Sequence, residues 1–462
     1  MTDWTVAAAF WGFLLLYGGV MYVVSPRAAS LQTFFQGTDA AGRPVTEWWL
    51  TASIFISWIF AKSVTNAANL GASYGAVGSL AYAAYWLSIP VAGLVIYGIR
   101  RHTGAGSLVD FLISRYGRGA AAAFAVAIMI RLYNEVWSNT AVVGGYFGEP
   151  GSWPFIAAAV VFTLVTLGYS AKGGLRGSIV TDALQAVIFV FFLATVLFLV
   201  LPEHGVANLV TAGSWQLSTG VDLLLVAGLQ IFSYPFHDPV LTDRAFINEE
   251  RRMLRSFVVA GVLGFICIFL FGLFGVHAQL SGIEGEGNVP AAVGRSLGVA
   301  TFFFMSVIMM SSAGSTLDST FSSLSKTLAF DLPAIRSRQG HSSIRFGIAV
   351  MVVFAVLGNL PMVLGTDILK ATTISGTMVM GLAPVFLFYR WAGRTALGFH
   401  LSFWTGVVLG VALAAGLVPD SWAIGEGRYA GLLGVNLYGL LLCTALFWLP
   451  SVLGGRRLSG AH

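Results

Sequence analysis

Apolar runs of roughly 20 residues recur along the whole chain, separated by short polar stretches. A helix rises 1.5 Å per residue, so about 20 such residues cross the hydrocarbon core of a bilayer. The pattern predicts thirteen helical spans at 5–24, 47–72, 76–99, 119–146, 153–170, 177–201, 222–246, 254–278, 297–328, 344–364, 367–390, 398–417 and 428–450. The longer ones must tilt, break or protrude. Two stretches depart from simple apolar filling. "SSAGSTLDSTFSSLS", residues 311–325, follows the apolar run "TFFFMSVIMM" and carries hydroxyls at nine of fifteen positions. "LQIFSYPFHDPVLTDRAF" places Pro235 and Pro239 in the middle of a span. Each proline removes a backbone donor and clashes with the preceding turn, so the helix must break there. Backbone freed at mid-membrane is tolerated only beside protein or a cavity.

Composition agrees with the pattern. The 462 residues are 57% hydrophobic and 10% charged, against about 25% charged in soluble domains. The chain reads as one all-α polytopic membrane domain. Cys267 and Cys443 lie in apolar runs and read as small buried hydrophobes. No metal-ligand cluster, nucleophile triad or phosphate loop appears, which argues against an enzyme, and the net charge of +5 does not suggest a nucleic-acid partner. Thirteen spans put the termini on opposite sides. Most Lys and Arg residues fall on the C-terminal side, Arg27, Arg100, Arg101, Arg115, Arg118, Lys172, Arg176, Arg244, Arg251 and Arg252 among them. Arg295 and Arg428 fall on the other. The positive-inside rule therefore puts the N-terminus outside and the C-terminus in the cytoplasm, in a cell (inner) membrane.

Few ionisable residues remain inside: Lys62, Arg131, Glu135, Asp182, His237, Asp238 and Asp318. A charge at a helix centre costs about 2.5–3.5 kcal/mol on insertion scales, so each needs a partner or a task. Lys62 lies fifteen residues into its span, about 22 Å deep by helical rise. Arg131, Tyr234 and Ser311 fall at similar depth. A polar layer drawn from non-adjacent helices at mid-membrane is what a transport pathway requires. Ser311 and Ser312 are adjacent, so their hydroxyls splay and grip one cation only with oxygens from another element. Tight helix packing through small residues is the alternative reading of the same stretch. His237 and Asp238 could line an inner vestibule or relay protons, although a histidine beside an aspartate is more often simply hydrogen-bonded.

At four places the chain resembles the sodium:solute symporter family, whose members carry proline, sugars, sialic acid and pantothenate. They are "GGLRGSIVTDALQAVIFVF", "SSAGSTLDSTFSSLSKTLAFDL", "APVFLFYRWAGRTALGFHLSFWTGVVLG" and "YPFHDPVLTDRAF". The resemblance implies a LeuT-like core: a leading helix at 5–24, two inverted five-helix repeats at about 47–201 and 222–390, and trailing helices at about 398–450. The first helix of each repeat would be discontinuous. The second span shows no proline or glycine in "TASIFISWIFAKS", so its break is not visible in the sequence. The resemblance further implies a sodium site built from the carbonyls of Ile56, Ile59 and Ile308 and the hydroxyls of Ser311 and Ser312. A second cation site would use Asp182 and Ser315, although Gly314 stands where a further serine is expected. Tyr234 matches a tyrosine that covers the solute, and would gate it from inside.

Lys62, Arg131 and Glu135 bear on the solute. Lys62 and Arg131 could receive a carboxylate. Lys62 could instead pair with Glu135 and leave the solute neutral. Arg131 and Glu135 are four apart on one helix face and could pair with each other. In a third reading Lys62 stands in for the coupling cation, making transport sodium-independent or proton-coupled. The expected function is sodium-coupled uptake of a small organic solute by alternating access, carboxylate-bearing or zwitterionic. It needs no cofactor beyond Na+ as coupling ion, and one copy in the bilayer suffices. A non-transporting sensor on the same fold is the other class.

Overall fold

The computed structural model describes residues 4–333, 343–363, 375–392 and 395–454. Among the described residues the regular structure is helical. Nine of the helices are long and apolar enough to cross a membrane. The expected second and seventh spans are each split into shorter pieces, and the expected fifth and sixth run on within Trp153–His204, divided at Gly174. The span expected at 367–390 begins outside the described residues.

Trp153–His204 is not straight. Gly174 has φ 54° and ψ −148°, a conformation outside the helix. In a straight helix Tyr169 and Gln185 would lie about 24 Å apart. Here the Gln185 amide donates to the Tyr169 hydroxyl at 3.4 Å. The chain therefore folds back on itself at Gly174. A side chain at 174 would put its Cβ 2.5 Å from the carbonyl oxygen of Phe34, so glycine is required by conformation and by space together. Phe34 belongs to the short helix Leu31–Gln36, which Ser30 caps at its start and Gly37 ends with φ 72°.

The first broken span comprises Glu47–Ser57 and Ala61–Tyr74, with Trp58, Ile59 and Phe60 between them. Phe60 is extended, at φ −69° and ψ 141°. The second begins as Val221–Gln230, continues in a 3₁₀ turn at Tyr234–His237 and restarts at Pro239–Thr242. Asp238 is extended and caps the restart by accepting from the Val240 amide at 3.1 Å. Both breaks pack on the hydroxyl-rich helix Val299–Lys326, whose residues from Met305 to Ser325 are all buried. This helix also packs along the folded-back helix and receives the leading helix Trp4–Val24. The breaks therefore sit at the centre of the molecule. Cys267 and Cys443 are buried free thiols, as their sequence context implies.

Candidate ion and solute site

A broken helix leaves carbonyls without amide partners. In the first break these are met by the hydroxyl-rich helix. Thr316 donates to the Ser57 carbonyl at 3.2 Å, and the Ser312 hydroxyl donates to the Ile59 carbonyl. The Ile56 carbonyl accepts from the Ile59 amide at 3.0 Å. On the other side of the gap the Ala61 amide is held by the side-chain oxygen of Asn139 at 3.1 Å. Ile56, Ile59, Ile308, Ser311 and Ser312 are all fully buried. Ile308 lies one turn before the serine pair on the same helix. The Ser311 hydroxyl is buried without a hydrogen-bond partner. Such a group costs about 1–3 kcal/mol unless something satisfies it.

Asp182 and Ser315 also meet. The Ser315 hydroxyl donates to Asp182 Oδ1 at 2.6 Å. Asp182 Oδ2 is already taken by Ser53 at 2.5 Å, by Ser57 at 3.0 Å and by the Arg244 guanidinium at 2.9 Å. Arg244 is a correction to the charge pattern read from the sequence. It was expected on a solvated cytoplasmic face, yet it is fully buried. Its Nε donates to Ser53 at 2.6 Å, its Nη2 also reaches Ser319 at 2.7 Å and Ser178 at 3.2 Å, and its Nη1 donates to the Val240 carbonyl. Asp318, on the same hydroxyl-rich helix, accepts from Ser178 and Thr181, each at 2.8 Å. Gly314 has a local explanation. A Cβ there would collide with the Tyr17 hydroxyl of the leading helix, which is itself held by Gln185 at 2.6 Å.

The mid-membrane charges form a second group. Lys62 Nζ lies 2.6 Å from Glu135 Oε1. Arg131 pairs with Glu135 on its own helix and, through Nη2 at 3.0 Å, with Asp238 in the second break. Asn139 donates to Glu135 Oε2 at 3.0 Å, and the Trp58 indole donates to Asp238 at 3.0 Å. All four charged side chains are buried, and their formal charges sum to zero. Phe60 lies under both cations, 5.4 Å from Lys62 and 5.2 Å from Arg131. Tyr234 faces Arg131 at 5.4 Å and packs against Trp58 and Tyr85. His237 does not take the role read from its neighbour: its Nδ1 lies 2.5 Å from the Tyr234 carbonyl, while Asp238 turns to Arg131 and Trp58. Towards the side that the charge pattern puts inside, a cavity of about 460 Å³ is lined by Phe35, Asp110, Asp243, Phe246, Lys326 and Asp331.

The sequence brought forward Lys62, Arg131, Glu135 and Tyr234, and the structure gathers them at one level around the two breaks. It did not bring forward Arg244, Trp58, Asn139 or Tyr17. Only Arg244 carried a usable signal, since it follows the proline break by five residues and four of its neighbours are apolar or small.

The sodium:solute symporter family model matches residues 40–278, more than half of the chain. The chain belongs to the sodium:solute symporter family. Its members are transporters, and enzymatic chemistry is not expected of it. The chain is similar to sodium/glucose cotransporter 4 of Danio rerio, with 27% identity over 172 residues, which is 37% of this chain and 26% of that one. It is similar to the sodium/pantothenate symporter of Escherichia coli (strain K12), with 22% identity over 202 residues, 43% of this chain and 41% of that one. The matched region thus spans well under half the length of these curated relatives. Among solved structures, a Na+-coupled sialic acid symporter in a substrate-bound outward-open state aligns over 98% of both chains with a TM-score of 0.72 and 17% identity. A nucleobase-cation-symport-1 family transporter aligns over 92% of this chain and 96% of that one with a TM-score of 0.56 and 14% identity. The fold is therefore that of the LeuT-like transporters, as expected from the discontinuous helices.

Proposed function

We propose that this protein carries a small organic solute across a cell membrane, driven by one sodium ion moving inward. The observation that carries the reading is the buried, unpartnered Ser311 hydroxyl, beside Ser312 and across from the carbonyls of the first break. A hard cation accepts hydroxyl and carbonyl oxygens together. The carbonyls of Ile56, Ile59 and Ile308 with the hydroxyls of Ser311 and Ser312 supply five such oxygens. On binding, the ion would take the Ile59 carbonyl from Ser312 and bridge the broken span to the hydroxyl-rich helix. That bridge is the means of coupling, because the same break carries Trp58, Phe60 and Lys62 toward the solute.

A second sodium is not part of this reading. Asp182 would attract it, but Arg244 already supplies a fixed positive charge there. For the solute, the pairing of Lys62 with Glu135 favours a net-neutral or zwitterionic molecule over an anion. A bare carboxylate would have to displace Glu135 or Asp238 from its cation. The pairing also weakens the idea that Lys62 replaces the coupling ion.

The test is thermal melting of the detergent-purified protein in sodium against choline at equal ionic strength. A ligand bound only by the folded state stabilises by RT ln(1 + [L]/Kd), about 2.7 kcal/mol at a hundredfold excess over Kd. The wild type should melt higher in sodium, and Ser312→Ala should lose the difference. Equal melting of the wild type in both salts would point to a proton-driven or sodium-independent carrier.

A further inference from the structure

Away from the pathway, two helix ends converge at the face that the charge pattern puts outside. Glu203 and His204 close the folded-back helix Trp153–His204, and His277 lies near the end of Glu250–Ser281. Each of the three offers one ligand atom, and these atoms all lie within 4.8 Å of one another. His277 Nε2 is 3.7 Å from Glu203 Oε2, and the imidazoles of His204 and His277 face each other with centroids 5.2 Å apart. We propose that Glu203, His204 and His277 form a metal site of the zinc class that links these two helices.

Three features carry this beyond proximity. The first is the donor set. Two imidazoles and one carboxylate suit a borderline divalent ion such as Zn²⁺, with a fourth position left to water. The second is the state of His277. Its side chain is 1% exposed, and its Nε2 faces the Glu203 carboxylate at 3.7 Å. His277 follows the buried apolar run Phe271–Val276, where packing alone gives no reason for an imidazole. The third is the surrounding electrostatics. Both helices present their C-terminal ends, whose dipole favours a cation. The Ser281 hydroxyl lies 2.8 Å from His204 Nε2 and orients that ring, as an outer partner does in metal sites. A tetrahedral zinc site with bonds of about 2.1 Å needs its ligands about 3.4 Å apart. The half-exposed Glu203 side chain is free to close that gap.

The site is independent of the transport reading, since binding is measured on the resting protein. The probe is ZnCl₂ titrated by calorimetry into the full chain in detergent, with any polyhistidine tag removed and chelator washed out. One zinc should bind per chain. Glu203→Gln at the exposed Glu203 and His204→Ala at the partly buried His204 should each weaken binding by at least about tenfold. His277→Asn should do the same, and His102→Ala, outside the cluster, should leave the isotherm unchanged. Loading with Co²⁺ should give the intense visible absorption of a four-coordinate centre, lost in His204→Ala. No zinc binding by the wild type, or an isotherm unaltered in His204→Ala, would overturn the proposal.

Discussion

Arg244 is the residue on which the inner half of the site turns. All three of its guanidinium nitrogens end on oxygens, one of them the carboxylate of Asp182. Removing one partner of a buried pair leaves an uncompensated charge and costs about 3–5 kcal/mol, whereas removing both costs much less. Arg244→Met and Asp182→Asn should therefore each lower the melting temperature sharply, and the double variant should recover part of the loss. Arg244→Met also leaves Asp182 and Ser315 to a mobile cation. Sodium should then stabilise Arg244→Met more steeply than the wild type. An identical sodium response in the two would argue against Arg244 as the built-in counter-charge. Gly314 makes the complementary case. A serine there meets Tyr17, so Gly314→Ser should destabilise the protein without adding a sodium effect. Pairing it with Tyr17→Phe removes the colliding hydroxyl and should restore most of the melting temperature.

Among the elements, the fold-back at Gly174 and the first break show two different relations between sequence and structure. Gly174→Ala forces a left-handed residue to carry a Cβ against the Phe34 backbone, at a cost of about 1–3 kcal/mol or more. Melting of Gly174→Ala against Gly168→Ala, where nothing lies within 4 Å of the added Cβ, isolates the effect. An equal, small change in both would mean that the bend tolerates a side chain. The position was legible because it falls in the gap between the spans expected at 153–170 and 177–201. The second break was legible too, through Pro235 and Pro239, since proline acts on its own backbone. The first break was not. Trp58, Ile59 and Phe60 have no intrinsic reason to leave the helix, and their local pattern is that of a continuous span. They leave it because distant groups satisfy what the break exposes: Asn139 holds the Ala61 amide, and Ser312 and Thr316 hold the carbonyls of Ile59 and Ser57. Sequence periodicity reports helices one at a time and cannot see a partner that arrives from another helix. The same limit explains which pairings of the buried charges were missed: Lys62 with Glu135 and Arg131 with Glu135 stood among the alternatives, but Asp182 with Arg244, 62 positions apart, and Arg131 with Asp238, 107 apart, did not.

At the scale of the whole molecule, the two charge groups divide the labour along one axis. The inner group ties the hydroxyl-rich helix to both breaks through Asp182 and Arg244. The mid-membrane group ties the breaks to the helix Arg118–Gly144 through Lys62, Arg131, Glu135 and Asp238. The mid-membrane group sums to zero formal charge by itself, so it draws no net counter-charge from the solute. This can be tested without knowing the solute. Lys62→Met alone leaves Glu135 with Arg131 as its only cation and should cost about 3–5 kcal/mol. Glu135→Gln alone leaves Lys62 beside Arg131 with no anion between them, and should cost as much. Lys62→Met with Glu135→Gln removes both charges and should be more stable than either single variant. With a neutral or zwitterionic solute, the double variant should keep a measurable share of sodium-driven uptake in proteoliposomes. If Lys62 instead holds a carboxylate of the solute, restoring stability will not restore uptake, and the double variant will be as inactive as Lys62→Met. Melting and uptake measured on the same three variants separate these outcomes, because only a solute contact couples the loss of Lys62 to uptake after the fold has been repaired.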